Sequence, residues 1–443
     1  MKKILFILFH SLFDIRFYPL LLFIKNNNKK PYSYLKKQQE IKLRKLIEYV
    51  YKYIPYYKEL FDQNKIKPSD IKKISDLQKI PILTKKIINK NINKFKPQKK
   101  FIKYLHYFNN STGGTTGTPL IYKISRKNRL ISGILKYRAW LNAGYKMGDK
   151  VIIFAGSSLI TNNKSLIETI TTKIFRNTIK LSSFEMSNST INSYIKIINN
   201  FKPKLIYGYP SSLFFLSNWI VKNKQKIHSP LAIFTTSENL YPYMRKKIEK
   251  TLNCKIFDAY GLHDGGITTH ECIKHQGMHI DTERSILEVI DKRNNQIKEG
   301  NGKILATDLD NYIFPFIRYD TGDIGQITHK KCNCGITTPR ITKILGRSVD
   351  ILITPEGKKI HRWFFLYIFW KYCKGIEKYQ IIQEKINQIN IKIVKNKNFD
   401  KTQIKKIKEI IKEKSKKWKI KFIFVKKIKP TKSGKYKFII SKI

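Results

Sequence analysis

The chain has 443 residues, with 88 Lys and Arg against 31 Asp and Glu and a formal net charge of +57. That length excludes a single small core and suits two or three domains. A hydrophobic share of 42% is ample for a folded protein. The charge attracts polyanions such as nucleotides, nucleic acid, anionic lipid or cofactor phosphates. Its even spread among abundant Lys, Asn and Ile fits a coding bias equally well. Cysteines stand at 254, 272, 332, 334 and 373. They are too sparse, and odd in number, for a secreted disulfide framework, so a cytoplasmic protein is expected.

Residues 1–27 open with two lysines and an apolar run, MKKILFILFHSLFDIRFYPLLLFI, interrupted by His10, Asp14 and Arg16. The breaks argue against a spanning helix. Two readings stay open: a helix lying in a membrane interface, or one packed on the protein's own surface. Apolar spacing at Ile41, Leu43, Leu46, Ile47, Val50 and Tyr51 predicts helix within 36–66, broken at Pro55. Pro68-Ser69-Asp70 opens a short helix, and Pro81-Ile82-Leu83-Thr84 makes a turn. Strand is expected at 120–124 and helix at 126–144. Strands at 151–156, 205–208, 231–234 and 255–257 then alternate with helices at 188–200, 211–223 and 241–252, the pattern of a parallel α/β sheet. Residues 286–290, 302–307, 316–319 and 325–328 predict a smaller, mostly antiparallel β subdomain. Beyond Gly346-Arg347 a separate unit is expected, with helix 361–372, a strand near 389–393, helix 402–415, strand 419–425 and a basic tail.

The most informative segment is Ser111-Thr112-Gly113-Gly114-Thr115-Thr116-Gly117-Thr118-Pro119. Its glycines permit close backbone approach, and its N–H and hydroxyl groups suit a phosphate cradle. A Gly/Thr-rich turn between two strands is the other reading. The segment lacks the Lys-Ser/Thr ending of a Walker loop. Four further motifs follow in order: Thr235-Thr236-Ser237-Glu238, Asp258-Ala259-Tyr260-Gly261-Leu262-His263-Asp264, Arg318-Tyr319-Asp320-Thr321-Gly322-Asp323, and Pro430-Thr431-Lys432-Ser433-Gly434-Lys435.

Together with Ile54-Pro55-Tyr56-Tyr57 and the stretch 79–85, this series resembles the adenylate-forming enzyme superfamily, and within it the phenylacetate–CoA ligase branch and its relatives in capsular polysaccharide gene clusters. The resemblance spans residues 36–443. It implies an α/β fold: a large N-terminal adenylate-forming domain with parallel sheets and a β subdomain over 28–345, and a small α+β mobile lid over 346–443. It also implies ATP-dependent conversion of a carboxylic acid to an acyl-adenylate with loss of pyrophosphate. The acyl group then passes to the thiol of CoA, a sugar amine or hydroxyl, or a protein thiol.

By that resemblance, residues 111–117, Ser237 and Glu238 serve the nucleotide. Tyr260 and Gly261 flank the adenine, on which Tyr260 stacks. Asp323 accepts the ribose hydroxyls and Arg347 contacts the nucleotide. Asp264 stands where relatives usually carry a magnesium-linked Glu, and Lys435 matches the lysine that bridges carboxylate and α-phosphate. Thr118 and Val349 depart from the family, which often has Lys or Arg at the first position and usually Asp or Lys at the second. Tyr207, Tyr209, Pro210 and His263 are candidates for the acid pocket. Cys272, His279, Cys332 and Cys334 suit a structural tetrahedral zinc, with His270 and His275 as competing ligands. The rival class is a non-catalytic polyanion binder, but no basic-aromatic RNA motif or zinc-finger spacing supports specific nucleic-acid binding. The acid itself and the oligomeric state stay open at this point.

Overall fold

A computed structural model describes residues 2–97, 106–111, 120–155, 177–183, 188–347, 351–361, 364–365, 368–369, 375–397, 399–429 and 437–443. It divides into two compact units, Met1–Leu345 and Gly346–Ile443.

In the first unit, five parallel strands are β3 (Val151–Ala155), β4 (Thr178–Ser182), β5 (Leu205–Gly208), β6 (Ala232–Thr235) and β7 (Lys255–Gly261). Helices Asn188–Phe201, Pro210–Lys222 and Pro242–Leu252 make the crossovers. All four residues of β6 are buried, as expected for a parallel strand covered on both faces. Strand β7 is the joint of the sheet. It runs parallel to β6 but antiparallel to β8 (Thr268–Glu271), which pairs with β9 (Met278–Ile280). The sheet continues through β13 (Arg340–Arg347), β12 (Tyr319–Thr328), β11 (Glu299–Asp308) and β10 (Ser285–Ile290). The antiparallel strands read from the sequence as a subdomain therefore complete one eleven-stranded sheet.

The expected helix within 36–66 is two helices, Tyr32–Tyr53 and Pro55–Gln63, divided where Pro55 removes a backbone donor. Their buried face packs on Phe314, Phe316 and Ile317. The Tyr57 hydroxyl donates to the Pro315 carbonyl (3.0 Å) and accepts from the Ile317 N–H (3.1 Å). The Pro81–Thr84 turn adds a bridge between Leu83 and Tyr319. Leu83 N–H donates to the Arg318 carbonyl (3.0 Å), and Asp320 N–H to the Leu83 carbonyl (2.8 Å). Arg318 in turn donates to the Ile80 carbonyl (2.8 Å). Two segments distant in sequence thus fix the start of β12. There the structure corrects the reading of 316–319 as a strand: the strand begins at Tyr319, so residues 319–323 of the motif lie inside it.

The N-terminal run is two helices, α1 (Lys2–Phe13) and α2 (Phe17–Asn27), bent by 113° to one another. No single helix among the described residues is long and apolar enough to cross a membrane.

The second unit holds a hairpin, β14 (Ile351–Ile353) with β15 (Lys359–His361), and a four-stranded sheet. In that sheet β17 (Gln388–Lys395) pairs antiparallel with β16 (Ile376–Lys385), while β18 (Lys419–Phe424) and β19 (Ile439–Ser441) add in parallel. Helix Thr402–Lys412 buries Ile407 and Ile411 in a core with Trp418, Ile389, Ile391 and Ile393. The helix expected at 361–372 begins later than read, because His361 ends β15. Strand β16 has no counterpart in the sequence reading.

Candidate active site and metal centre

The carboxyl ends of β6 and β7 lie side by side, with Thr235 opposite Asp258 in the register. Ligands of open α/β sheets sit outside such ends. The Thr235 hydroxyl donates to Asp258 Oδ1 at 2.6 Å. Burial, and then the neighbouring Glu271 charge, push the Asp258 carboxyl up to about 7. Past β6 the chain turns through Ser237, whose φ is +67°. The next residue, Glu238, accepts the Ser211 N–H at 3.0 Å. Its carboxylate thereby meets the N-terminus of helix Pro210–Lys222, where an anion is favoured.

Tyr260 leaves the end of β7 and donates its hydroxyl to Asp323 Oδ2 at 2.9 Å. Asp323 comes from β12, and its N–H donates to the Thr321 hydroxyl (3.1 Å). Burial and the adjacent carboxylate hold the Tyr260 phenol well above its ordinary value, so it stays protonated as the donor. Asp264 accepts from the Tyr319 hydroxyl at 3.3 Å. Tyr260, Asp264, Tyr319 and Asp323 thus meet at the joint of the sheet, although they come from segments some 60 residues apart. Gly261, at the exposed end of β7, would bring a Cβ within 3.0 Å of the Ile267 carbonyl.

Ser111 ends β1 (Tyr107–Ser111), which forms an antiparallel hairpin with β2 (Ile121–Ser125). Thr112 to Gly117 lie outside the described residues, as do Lys435 and the whole stretch 430–436. Arg347 ends β13 in the second unit, and its side chain lies outside the described part.

Near the proposed acid pocket, Tyr207 stands 5.8 Å from Trp140 between ring centroids. Lys136 Nζ lies 5.0 Å from the Trp140 ring and 5.7 Å from that of Tyr207. Arg284, fully buried, donates to His263 Nδ1 (3.4 Å) and to Asn128 Oδ1 (2.8 Å). One edge of His263 reaches solvent, yet desolvation and the cations Arg284, Arg129 and Lys136 keep its ring neutral. The sequence reading missed Arg284, Asn128 and Lys136. Each is one basic or amide residue among many, and no local spacing marks it.

On the far side of β8 and β9 a second cluster forms. Ligand atoms of Cys272, His279, Cys332 and Cys334 lie within 4.8 Å of one another. Cys272 Sγ is 3.7 Å from Cys332 Sγ, and Cys334 Sγ is 3.3 Å from His279 Nε2. His279 Nδ1 lies 3.1 Å from the Thr338 carbonyl. That contact places the ring proton on Nδ1 and turns the Nε2 lone pair inward. The two competing histidines do not join that group of ligand atoms. His270 Nδ1 sits 3.0 Å from Asp281, and His275 Nδ1 3.1 Å from Glu271.

Comparison with known proteins agrees with this architecture. Residues 352–442 match the family model described as the CapK C-terminal domain. The chain is 26% identical over 423 residues to Protein CapK of Staphylococcus aureus, covering 91% of this chain and 89% of that one. It is also 26% identical over 333 residues to a phenylacetate-coenzyme A ligase of Thermus thermophilus, covering 73% of this chain and 72% of the relative. The resemblance read from the motifs is borne out. Among solved structures, 2-hydroxyisobutyryl-CoA ligase in complex with R3-HIB-AMP superposes with a TM-score of 0.74 at 16% identity, over 94% of this chain and 91% of that one. The α/β fold class stands on that likeness.

Proposed function

We propose that this chain is an AMP-forming acid ligase. A carboxylate oxygen attacks the α-phosphorus of ATP, the bond to the β-phosphate oxygen breaks, and pyrophosphate leaves. The thiol sulfur of CoA then attacks the acyl carbonyl carbon and gives its proton to solvent, and AMP leaves. The observation that carries this reading is the Tyr260–Asp323 hydrogen bond of 2.9 Å at the joint of the sheet. It sets an aromatic face and a carboxylate side by side, as adenine and ribose hydroxyls require. The hairpin ending at Ser111 carries the Gly/Thr segment that would hold the phosphates. Magnesium would bind through Asp264, directly or by a bridging water, and would neutralise charge on the phosphates. Lys435 is the proposed lysine between carboxylate and α-phosphate, and Arg347, just before the span matched to the CapK C-terminal domain, is a proposed nucleotide contact. Acid-dependent ATP–pyrophosphate exchange across a panel of carboxylic acids tests the proposal. No exchange with any acid, together with salt-sensitive binding to nucleic acid, would return the protein to the class of polyanion binders.

A sugar amine or hydroxyl is the second reading for the acceptor. It is kept because the motifs resemble those of relatives in capsular polysaccharide gene clusters, and the chain aligns over 91% of its length with Protein CapK. Incubation with a preformed acyl-adenylate separates the two acceptors by whether CoA discharges it.

The second cluster is proposed as a structural zinc site. Tetrahedral zinc with thiolate bonds of about 2.3 Å places sulfurs about 3.8 Å apart, and the observed 3.7 Å between Cys272 and Cys332 fits. Four protein ligands leave no open position, so the ion would tie the 272–279 loop to the 332–334 loop and take no part in the chemistry. Purified protein is expected to carry about one zinc per chain by elemental analysis. Cys332→Ala is expected to lose the ion and lower the melting temperature, whereas His275→Ala retains it. Metal-free parent protein with unchanged melting in chelator would refute the site.

A further inference from the structure

The bent α1–α2 pair has two unlike faces. Phe6, Phe17, Leu21 and Ile24 are buried, and pack with Ile131, Ile134, Leu135 and Met147. The other side of the same helices is apolar and bare. Ile4, Leu8 and Leu12, one turn apart along α1, are 62%, 55% and 85% exposed. Phe13 and Ile15 at the bend are 60% and 82% exposed, and Leu22 and Phe23 on α2 are 44% and 49% exposed. Apolar exposure this concentrated marks an interaction surface.

The bend is clamped to the body of the protein. Asp14 pairs with Arg16 (2.8 Å) and with Arg126 (3.3 Å), and Arg126 also donates to the Phe13 carbonyl. The clamp draws the acidic side chain inward and leaves Leu12, Phe13 and Ile15 outermost. Within residues 1–30 Asp14 is the single acid, against Lys2, Lys3, Arg16, Lys25, Lys29 and Lys30.

We propose that this hairpin docks the protein on an anionic lipid bilayer, with the apolar stripe at the acyl boundary and the cations among the headgroup phosphates. Geometry excludes a crossing. The helices hold 12 and 11 residues, roughly 16–18 Å each, against a hydrocarbon core of about 30 Å. The 113° bend and the buried stripe keep them beside the body of the protein. Lying flat with one face in the lipid is the arrangement left to them. Charge selects the occupant. A second copy would bring its own excess of cations against this one, whereas phosphates neutralise them.

The test is co-flotation of the full chain with neutral phosphatidylcholine vesicles and with vesicles containing phosphatidylglycerol. The parent is expected to float with the anionic vesicles and much less with the neutral ones, increasingly so at low salt. The variant Leu12→Asp/Ile15→Asp changes only outward side chains. It is expected to lower vesicle binding at least about tenfold, with unchanged melting temperature and circular dichroism. A parent that stays unbound with both vesicle types overturns the proposal, as does a correctly folded variant that binds like the parent. Salt-independent dimerisation that the variant abolishes, without vesicle binding by the parent, would identify a second copy as the occupant and also overturn it.

Discussion

Arg138→Met is expected to destabilise the first unit by about 3–5 kcal/mol, the usual cost of leaving a buried charge without its partner. Arg138 is buried on helix Arg126–Asn142. It donates to Glu283 Oε1 (2.6 Å) and Oε2 (3.2 Å), to Asp281, and to the Ile24 carbonyl (3.1 Å). Asn27 also donates to Glu283 Oε1, at 2.9 Å. One guanidinium therefore joins the N-terminal hairpin, a central helix and the segment between β9 and β10. Methionine keeps most of the volume but strands two carboxylates away from water. Adding Asp281→Asn and Glu283→Gln to Arg138→Met removes those charges and is expected to recover most of the loss. Arg138→Lys keeps the charge but not the fork geometry, and is expected to fall in between. Urea unfolding of the four proteins checks the series. Equal stability of Arg138→Met and the parent would show that the cluster contributes nothing.

Lys435→Ala is expected to lower acid-dependent pyrophosphate release roughly 100–1000-fold, the effect of deleting one donor aimed at developing negative charge. Lys435 lies outside the described residues. The expectation rests on its place in Pro430-Thr431-Lys432-Ser433-Gly434-Lys435, within the span matched to the CapK C-terminal domain. The chain supplies its own controls, because Lys432 and Lys437 flank the same site. Lys432→Ala and Lys437→Ala are expected to retain most of the activity, whereas Lys435→Ala does not. Transfer from a preformed acyl-adenylate should survive in Lys435→Ala, because the α-phosphate step is already complete. Uniform losses across all three variants would point to general attraction of ATP by positive charge.

The alternation of apolar runs with helical spacing was legible because each parallel strand is a short local signal: Val151 to Gly156 and Leu231 to Phe234 read as strands by themselves. The order of the motifs was legible too, since each is a short local run of residues. Other features were hidden by distance along the chain. Nothing near Arg138 in the sequence announces Asp281 and Glu283, about 145 residues away. The pinning of Arg318 by the carbonyls of Gln78 and Ile80 spans some 240 residues. The set of three cysteines and a histidine suited a metal, but three histidines competed for the last ligand position. Packing resolved the choice by bringing His279, and neither His270 nor His275, among the three thiols.

By itself, then, the sequence determined the layering, the division near Gly346 and the residue types proposed for a nucleotide, because these depend on local periodicity and composition. Only the tertiary structure decided that β7 joins parallel and antiparallel strands into one sheet, which histidine faces the thiols, and which side of the first helices is bare. Those outcomes follow from contacts between segments far apart in the chain, where burial and charge pairing select one partner among many that look alike in one dimension.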